Sequence, residues 1–182
     1  MRLRTILQPD RYSETTIMIT LGVDPGTALL GYGLIRGQDD PELITYGVVE
    51  TTSEEAMERR LVRLYDGVWE LIRTYAPDVL AIEQLFFARN VTTALAVGQA
   101  RGVVLLAAAQ HGMEVFEYKP SVVKQTISGY GKADKPQMQE MVRMQLSLRS
   151  IPKPDDAADA LAVALCHVQM SRLVRLVKAA DG

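Results

Sequence analysis

Two short apolar runs, each stopped by an acid, set the frame for this chain: Ile17 to Val23 ends in Asp24, and Val79 to Ile82 ends in Glu83. Apolar runs of this length, bounded by turn residues, read as buried strands. Asp24-Pro25-Gly26 stops the first, because proline fixes φ and offers no amide donor while glycine is free to turn. Asp24 therefore closes a strand at its C-terminal end, and in open α/β sheets the crevice beyond such ends is where ligands and chemistry lie. Between the runs, Leu61, Leu64, Val68 and Leu71/Ile72 keep the spacing of one helix face, with Ser53 as the expected N-cap, Glu54 and Glu55 as early acids, and Tyr75 as the last turn. A helix there makes a parallel crossover natural. If the strands are parallel and adjacent, Asp24 and Glu83 emerge side by side at one sheet edge.

Gly31 to Arg36 and Leu43 to Thr52 are β-rich and are separated by Gly37-Gln-Asp-Asp-Pro41, the turn chemistry of a hairpin, so three strands in a meander are expected first. Thr92 to Gln110 reads as a helix ended by His111-Gly112, Met113 to Tyr118 as the last strand, and 120–127, 135–148 and 155–178 as helices. The expected fold is α/β, a mixed five-stranded sheet flanked by helices. With 182 residues, 48% of them hydrophobic, the chain can bury one sizeable core. Residues 18–171 are read as one domain, 1–17 as a flexible arm or the product of an upstream start, and 172–182 as an exposed tail.

A single cysteine, Cys166, excludes an internal disulfide, and two scattered histidines, His111 and His167, exclude the Cys/His clusters of zinc sites. A reducing cytoplasm fits. Arg2 and Arg4 precede only Ile6-Leu7 before polar residues return, so no signal peptide is read, and the longest apolar region, 94–109, is interrupted by Gln99 and Arg101, so no membrane span is read. Residues 101–153 carry eight Lys/Arg against four Asp/Glu in a chain whose net charge is −2. Positive charge is therefore local, where a polyanion could use it.

The last helix opens Pro154-Asp-Asp-Ala-Ala-Asp159, which sets Asp156 and Asp159 on one face. Acids near a helix N-terminus complement its dipole, and Asp155 or Asp156 could be the cap alone. Asp159 lies inside the helix among alanines and is not explained that way. Two carboxylates about 4 Å apart repel by roughly 4 kcal/mol at an effective dielectric of about 20, so four together need protons or a counter-ion. Oxygen ligands without Cys or His favour Mg²⁺ or Mn²⁺. Two such ions per site can activate a water and stabilise the leaving oxygen in an in-line displacement at phosphorus, so phosphodiester hydrolysis is the expected reaction.

Phe86, Phe87, Arg89 and Asn90 follow directly on Glu83. One ring is expected in the core; an exposed one could stack on unpaired bases, a contact worth about 1–3 kcal/mol per base. Lys124 and the Gly129-Tyr-Gly-Lys132-Ala-Asp-Lys135 loop are either solvated surface or phosphate contacts, and beside a phosphodiester site the second reading is preferred. Gly98 and Gly102 give the 92–110 helix a small-residue face, suited either to close packing on the sheet or to a two-fold contact with a second subunit.

Gly22-Val-Asp-Pro-Gly-Thr27, Ala81-Ile-Glu-Gln84 and Asp156-Ala-Ala-Asp-Ala-Leu161 together carry a family resemblance. With Gly98-Gln-Ala-Arg-Gly102, Phe116-Glu-Tyr118, Val123-Lys-Gln-Thr126 and Met141-Val-Arg143, in this order and spacing, the chain resembles the RuvC family of Holliday-junction resolvases from about residue 18 to 170. The resemblance implies a ribonuclease-H-like fold, a homodimer, and a role in DNA recombination and repair. It implies paired nicks in two strands of like polarity of a four-way DNA junction, leaving ligatable ends, and work beside a branch-migration motor of the RuvA and RuvB type. It assigns Asp24, Glu83, Asp156 and Asp159 to the family's four catalytic, metal-binding acids, Phe86 to the junction centre, and Lys124 and Lys135 to the neighbourhood of the scissile phosphate. Three rivals stand beside it. An actin-type ATPase or sugar kinase shares the strand and Asp-x-Gly, but needs a duplicated domain and leaves the Asp-x-x-Asp helix idle. A resolvase-like nuclease of RNA or other branched DNA shares the Asp-Pro-Gly start without the Ala-Ile-Glu-Gln-x-Phe-Phe run. A non-catalytic junction-binding module would have no need of four acids.

Overall fold

The computed structural model describes residues 18–85 and 91–180. β1 (Ile19–Asp24), β2 (Leu29–Arg36) and β3 (Glu42–Glu50) come first, followed by α1 (Met57–Tyr75), β4 (Val79–Glu83), α2 (Val91–Gln110) and β5 (Glu114–Tyr118). Three helices close the chain: α3 (Pro120–Ser128), α4 (Lys135–Gln145) and α5 (Asp155–Ala180). The sheet order is β3-β2-β1-β4-β5. β1 pairs antiparallel with β2, and β2 with β3, whereas β1–β4 and β4–β5 are parallel. This is the expected meander followed by crossover strands.

The central strands β1 and β4 are buried on both faces, and largely apolar, because helices cover both. Leu21, Val23, Leu80 and Ile82 face α1 and α2, meeting Leu64, Val68, Ala100 and Val104. The alternate residues Val79 and Ala81 lie in the opposite core with α3, α4 and α5. Ala157, Ala158 and the run from Ala160 to Val168 are all buried, so α5 is the central helix of that layer. It approaches the sheet so closely that a Cβ on Gly22 would come within 2.2 Å of the Ala160 carbonyl oxygen, and one on Gly31 within 2.1 Å of the Asp156 oxygen. Glycine inside a strand is weakening unless another backbone needs the space, and here one does.

By length and composition α5 is apolar enough to cross a membrane and so exceeds the 94–109 stretch, yet half of its apolar window is buried within the fold. Its apolarity is that of a core helix.

Two helix boundaries differ from expectation by three residues each. α1 starts at Met57 with Ala56 as N-cap and no side-chain cap, rather than at Ser53. The preceding segment is held as a turn instead: the amides of Glu54 and Glu55 donate to the Thr52 hydroxyl and carbonyl oxygens. α4 ends at Gln145 rather than at 148, because Ser147 adopts φ 51° and the Leu148 amide turns back to the Arg143 carbonyl. The last helix runs as expected, and the exposed residues after Ser171 continue α5 to Ala180, with Arg172 and Arg175 at 3.3 and 3.4 Å from Asp39 in the β2–β3 turn.

Candidate active site

Asp24 is the last residue of β1 and Glu83 the last of β4. The parallel register pairs Val23 with Ile82, so these two acids take the next step side by side. Strand alternation sets both on the α5 face, in line with Gly22 and Ala81. Gly31 lies opposite Asp24 in the β1–β2 ladder, and it is over Gly31 that the Asp156 backbone passes. The first turns of α5, with Asp156 and Asp159, are thereby seated above the end of β1.

The four acids share one electrostatic field. The Asp24 carboxyl is pushed up to about 7, first by burial and then by Asp159, Glu83 and Asp156, with Lys135 opposing. Burial and then Asp159 raise Glu83, while Lys124 works the other way. Burial also raises Asp159, against a hydrogen bond from Lys135. The acids are brought together without closing into a ligand shell: among the described residues, no three His, Cys, Asp or Glu side chains are set to enclose an ion.

Lys135 opens α4 and reaches Asp159 at 3.1 Å and Asp155 at 3.4 Å. Its position follows from a capping box, in which the Gln137 amide donates to the Asp134 side chain at 2.9 Å and the Asp134 amide to the Gln137 side chain at 3.2 Å. Asp155 also takes Lys153 at 2.7 Å, a hydrogen bond that foremost holds its carboxyl down to about 2. Asp155 thus acts as an anchor for lysines beside the cluster, more than the cap considered from sequence. Glu83, Asp159, Lys124 and Lys135 line a cleft of about 220 Å³ whose apolar wall includes Val123, Met138 and Val163.

Lys132 is exposed on the α3–α4 loop, which Gln125 braces by donating to the Gly129 carbonyl at 2.8 Å and accepting from the Gly131 amide at 3.0 Å. Phe86, Phe87, Arg89 and Asn90 lie outside the described residues. A Cβ on Gly98 or Gly102 would meet nothing within 4 Å, so close packing on the sheet does not explain these glycines. Gly31 and Gly33, alternate residues of β2, carry a signal in the sequence beyond the motifs above, as does Gly22 within β1, because glycine inside a strand marks a close neighbour.

A mixed five-stranded sheet with acids at the ends of two neighbouring parallel strands, and two more on the helix laid across them, defines a ribonuclease-H-like domain of the acid-cluster type. The sequence profile described as Crossover junction endodeoxyribonuclease RuvC matches residues 20–167. A relative of that name from Thermomicrobium roseum is 57% identical over 159 residues, covering 87% of this chain and 98% of its own. Another, from Rubrobacter xylanophilus, is 57% identical over 160 residues, covering 87% and 89%. The solved structure of T. thermophilus RuvC in complex with Holliday junction substrate superposes with a TM-score of 0.82 at 37% identity, covering 86% of this chain and 96% of that one. The chain belongs to the RuvC family of crossover junction endodeoxyribonucleases.

Proposed function

We propose that this chain resolves four-way DNA junctions by metal-dependent paired nicks in two strands of like polarity, leaving ligatable ends. The observation that carries the reading is the convergence of Asp24, Glu83, Asp156 and Asp159 at one sheet edge beneath α5, where burial first and then the other three acids push Asp24 up to about 7. The junction as substrate is supported by the solved relative, itself a complex with a Holliday junction substrate. Residues 18–171 are the nuclease domain in this reading.

The donor set suits a hard divalent cation: every candidate ligand is a carboxylate oxygen, and crowding leaves a charge deficit that a dication would fill. Asp24, Glu83, Asp156 and Asp159 would hold Mg²⁺ or Mn²⁺, two ions per site. Such ions, when bound, supply activation of a water and stabilisation of the leaving oxygen. The protein's own groups orient the strand: Lys124 and Lys135 on the cleft wall contact the phosphate, and Lys132 follows the backbone from the exposed loop. Phe86, Phe87, Arg89 and Asn90 are the further DNA-binding residues in this reading, with Phe86 the one that stacks on an unpaired base at the junction centre.

Paired nicks call for two sites related by symmetry, and the open Gly98/Gly102 face of α2, with Leu95 and Leu106 exposed, suits a homodimer contact. The setting is the bacterial cytoplasm, beside a branch-migration motor of the RuvA and RuvB type.

The test is cleavage of a synthetic four-way junction beside a linear duplex of the same sequence, with Mg²⁺ or Mn²⁺ and with a chelator. Symmetric nicks in the junction alone, lost with chelator, are expected. Junction binding without cleavage under either metal would replace this reading with that of a binding module.

A further inference from the structure

Among the described residues Arg101 carries the only buried charged side chain. A guanidinium is costly to bury unless its donors are matched. Arg101 directs its fork to two strands: Nη1 donates to the Glu83 carbonyl oxygen at 2.7 Å, and Nη2 pairs with Glu117 Oε1 at 2.7 Å. Packing of α2 on the sheet needs neither contact, since Ala100, Val104, Ala107 and Ala108 already fill that face. The β4–β5 register ends at Glu83 opposite Tyr118, and at that strand end the guanidinium donates to the Glu83 carbonyl from the helix side.

We propose that Arg101 is a positioning residue: by clamping the Glu83 carbonyl to Glu117, it fixes the last residue of β4, and with it the Glu83 carboxylate, in the geometry that cleavage requires. The inference rests on the role proposed above for Glu83. Only a planar fork spans both groups, which is why arginine and not lysine suits the site. Misplacing a reacting group by about 1 Å costs on the order of 100-fold in rate, so a tether on the backbone of Glu83 has leverage on chemistry without touching DNA.

The Gln84 amide, which donates to the Tyr118 carbonyl at 2.7 Å, reports on this strand end. In Arg101→Gln, amide exchange at Gln84 should accelerate about tenfold while β1 and β2 amides keep their rates. The same variant should lose about 10- to 100-fold in kcat on the four-way junction with Kd for the junction unchanged. Glu117→Gln, at a partly exposed site that tolerates the change, should lose about 10-fold in kcat in the same pattern and serves if Arg101→Gln does not fold. Unchanged exchange at Gln84, a uniform rise across the sheet, or an unchanged kcat overturns the inference. If the wild type cuts no junction, the proposed function fails, and the exchange result alone still decides whether Arg101 clamps β4.

Discussion

The Lys135 ammonium stands 3.1 Å from the Asp159 carboxylate, so α4 delivers a positive charge to the rim of an acid cluster built by β1, β4 and α5. Burial works against that ammonium, but Asp159 and then Asp155 outweigh it and hold it above its ordinary value. Both partners remain partly exposed, so the pair is worth at most about 1 kcal/mol to the fold. Its task is local charge. Lys135→Met should leave the melting temperature nearly unchanged while junction cleavage falls by about 100-fold, the order expected for a lost transition-state contact. A thermal melt and a single-turnover assay on the same preparation check both halves.

Metal-free stability should depend on pH in a direction set by Asp24. Its carboxyl titrates at about 7 in the folded chain, against about 3.9 in an unfolded one. Between those values the folded state keeps a proton that the unfolded state has lost, so stability falls as pH rises through the window and levels off above it. Glu83 and Asp159 shift in the same direction and steepen the fall. Asp155 acts oppositely and lower: held at about 2, it favours the fold above its ordinary value, and that contribution is lost as pH drops toward 2. Urea unfolding in chelator across this range should show the decline, and Asp24→Asn should flatten it. An equal slope in the variant would contradict the assignment.

Divalent cation should reverse the same penalty. At about 100 times its Kd, Mg²⁺ or Mn²⁺ should stabilise the protein by about 2.7 kcal/mol, a melting shift of about 5–10 °C for a domain of this size. The shift should grow with pH, because the ligands must be deprotonated. Asp159→Asn should shrink it, and differential scanning calorimetry with and without chelator measures it.

Gly31→Ala tests the link from fold to site. Its Cβ would fall 2.1 Å from the Asp156 carbonyl oxygen, which belongs to backbone and cannot swing aside. Overpacking of this kind costs about 1–3 kcal/mol. The expected result is a lower denaturant midpoint together with a smaller metal-induced melting shift, since α5 must lift and carry Asp156 and Asp159 with it. A variant that unfolds earlier yet keeps the full metal shift would separate the helix contact from the site.

The parts of the site that sequence made legible are those encoded locally. Asp24 and Glu83 stand out because each ends an apolar run, and the helix between them fixes a parallel crossover, so register does the rest. Asp156 and Asp159 stand out by their spacing on one helix. Arg101 was matched only as part of a motif, because its two partners, Glu83 and Glu117, come from different strands and no spacing announces their meeting. Lys135 was placed near the phosphate by resemblance, but its pairing with Asp159 depends on how α4 packs beside α5. Ser53 is a good N-cap by type, yet Thr52 takes the nearby amides into a turn and the helix begins later. Gly22 and Gly31 carried a readable signal in their position within strands, and what they signalled was the approach of α5.

The most direct measurement is binding and single-turnover cleavage of one four-way junction by the wild type and by Glu83→Gln, side by side in Mg²⁺. The amide keeps the shape of the carboxylate and removes its charge, so the variant should bind the junction as tightly as the wild type and leave it uncut. Cleavage by Glu83→Gln at the wild-type rate would contradict the central claim that the acids at the ends of β1 and β4 perform the reaction.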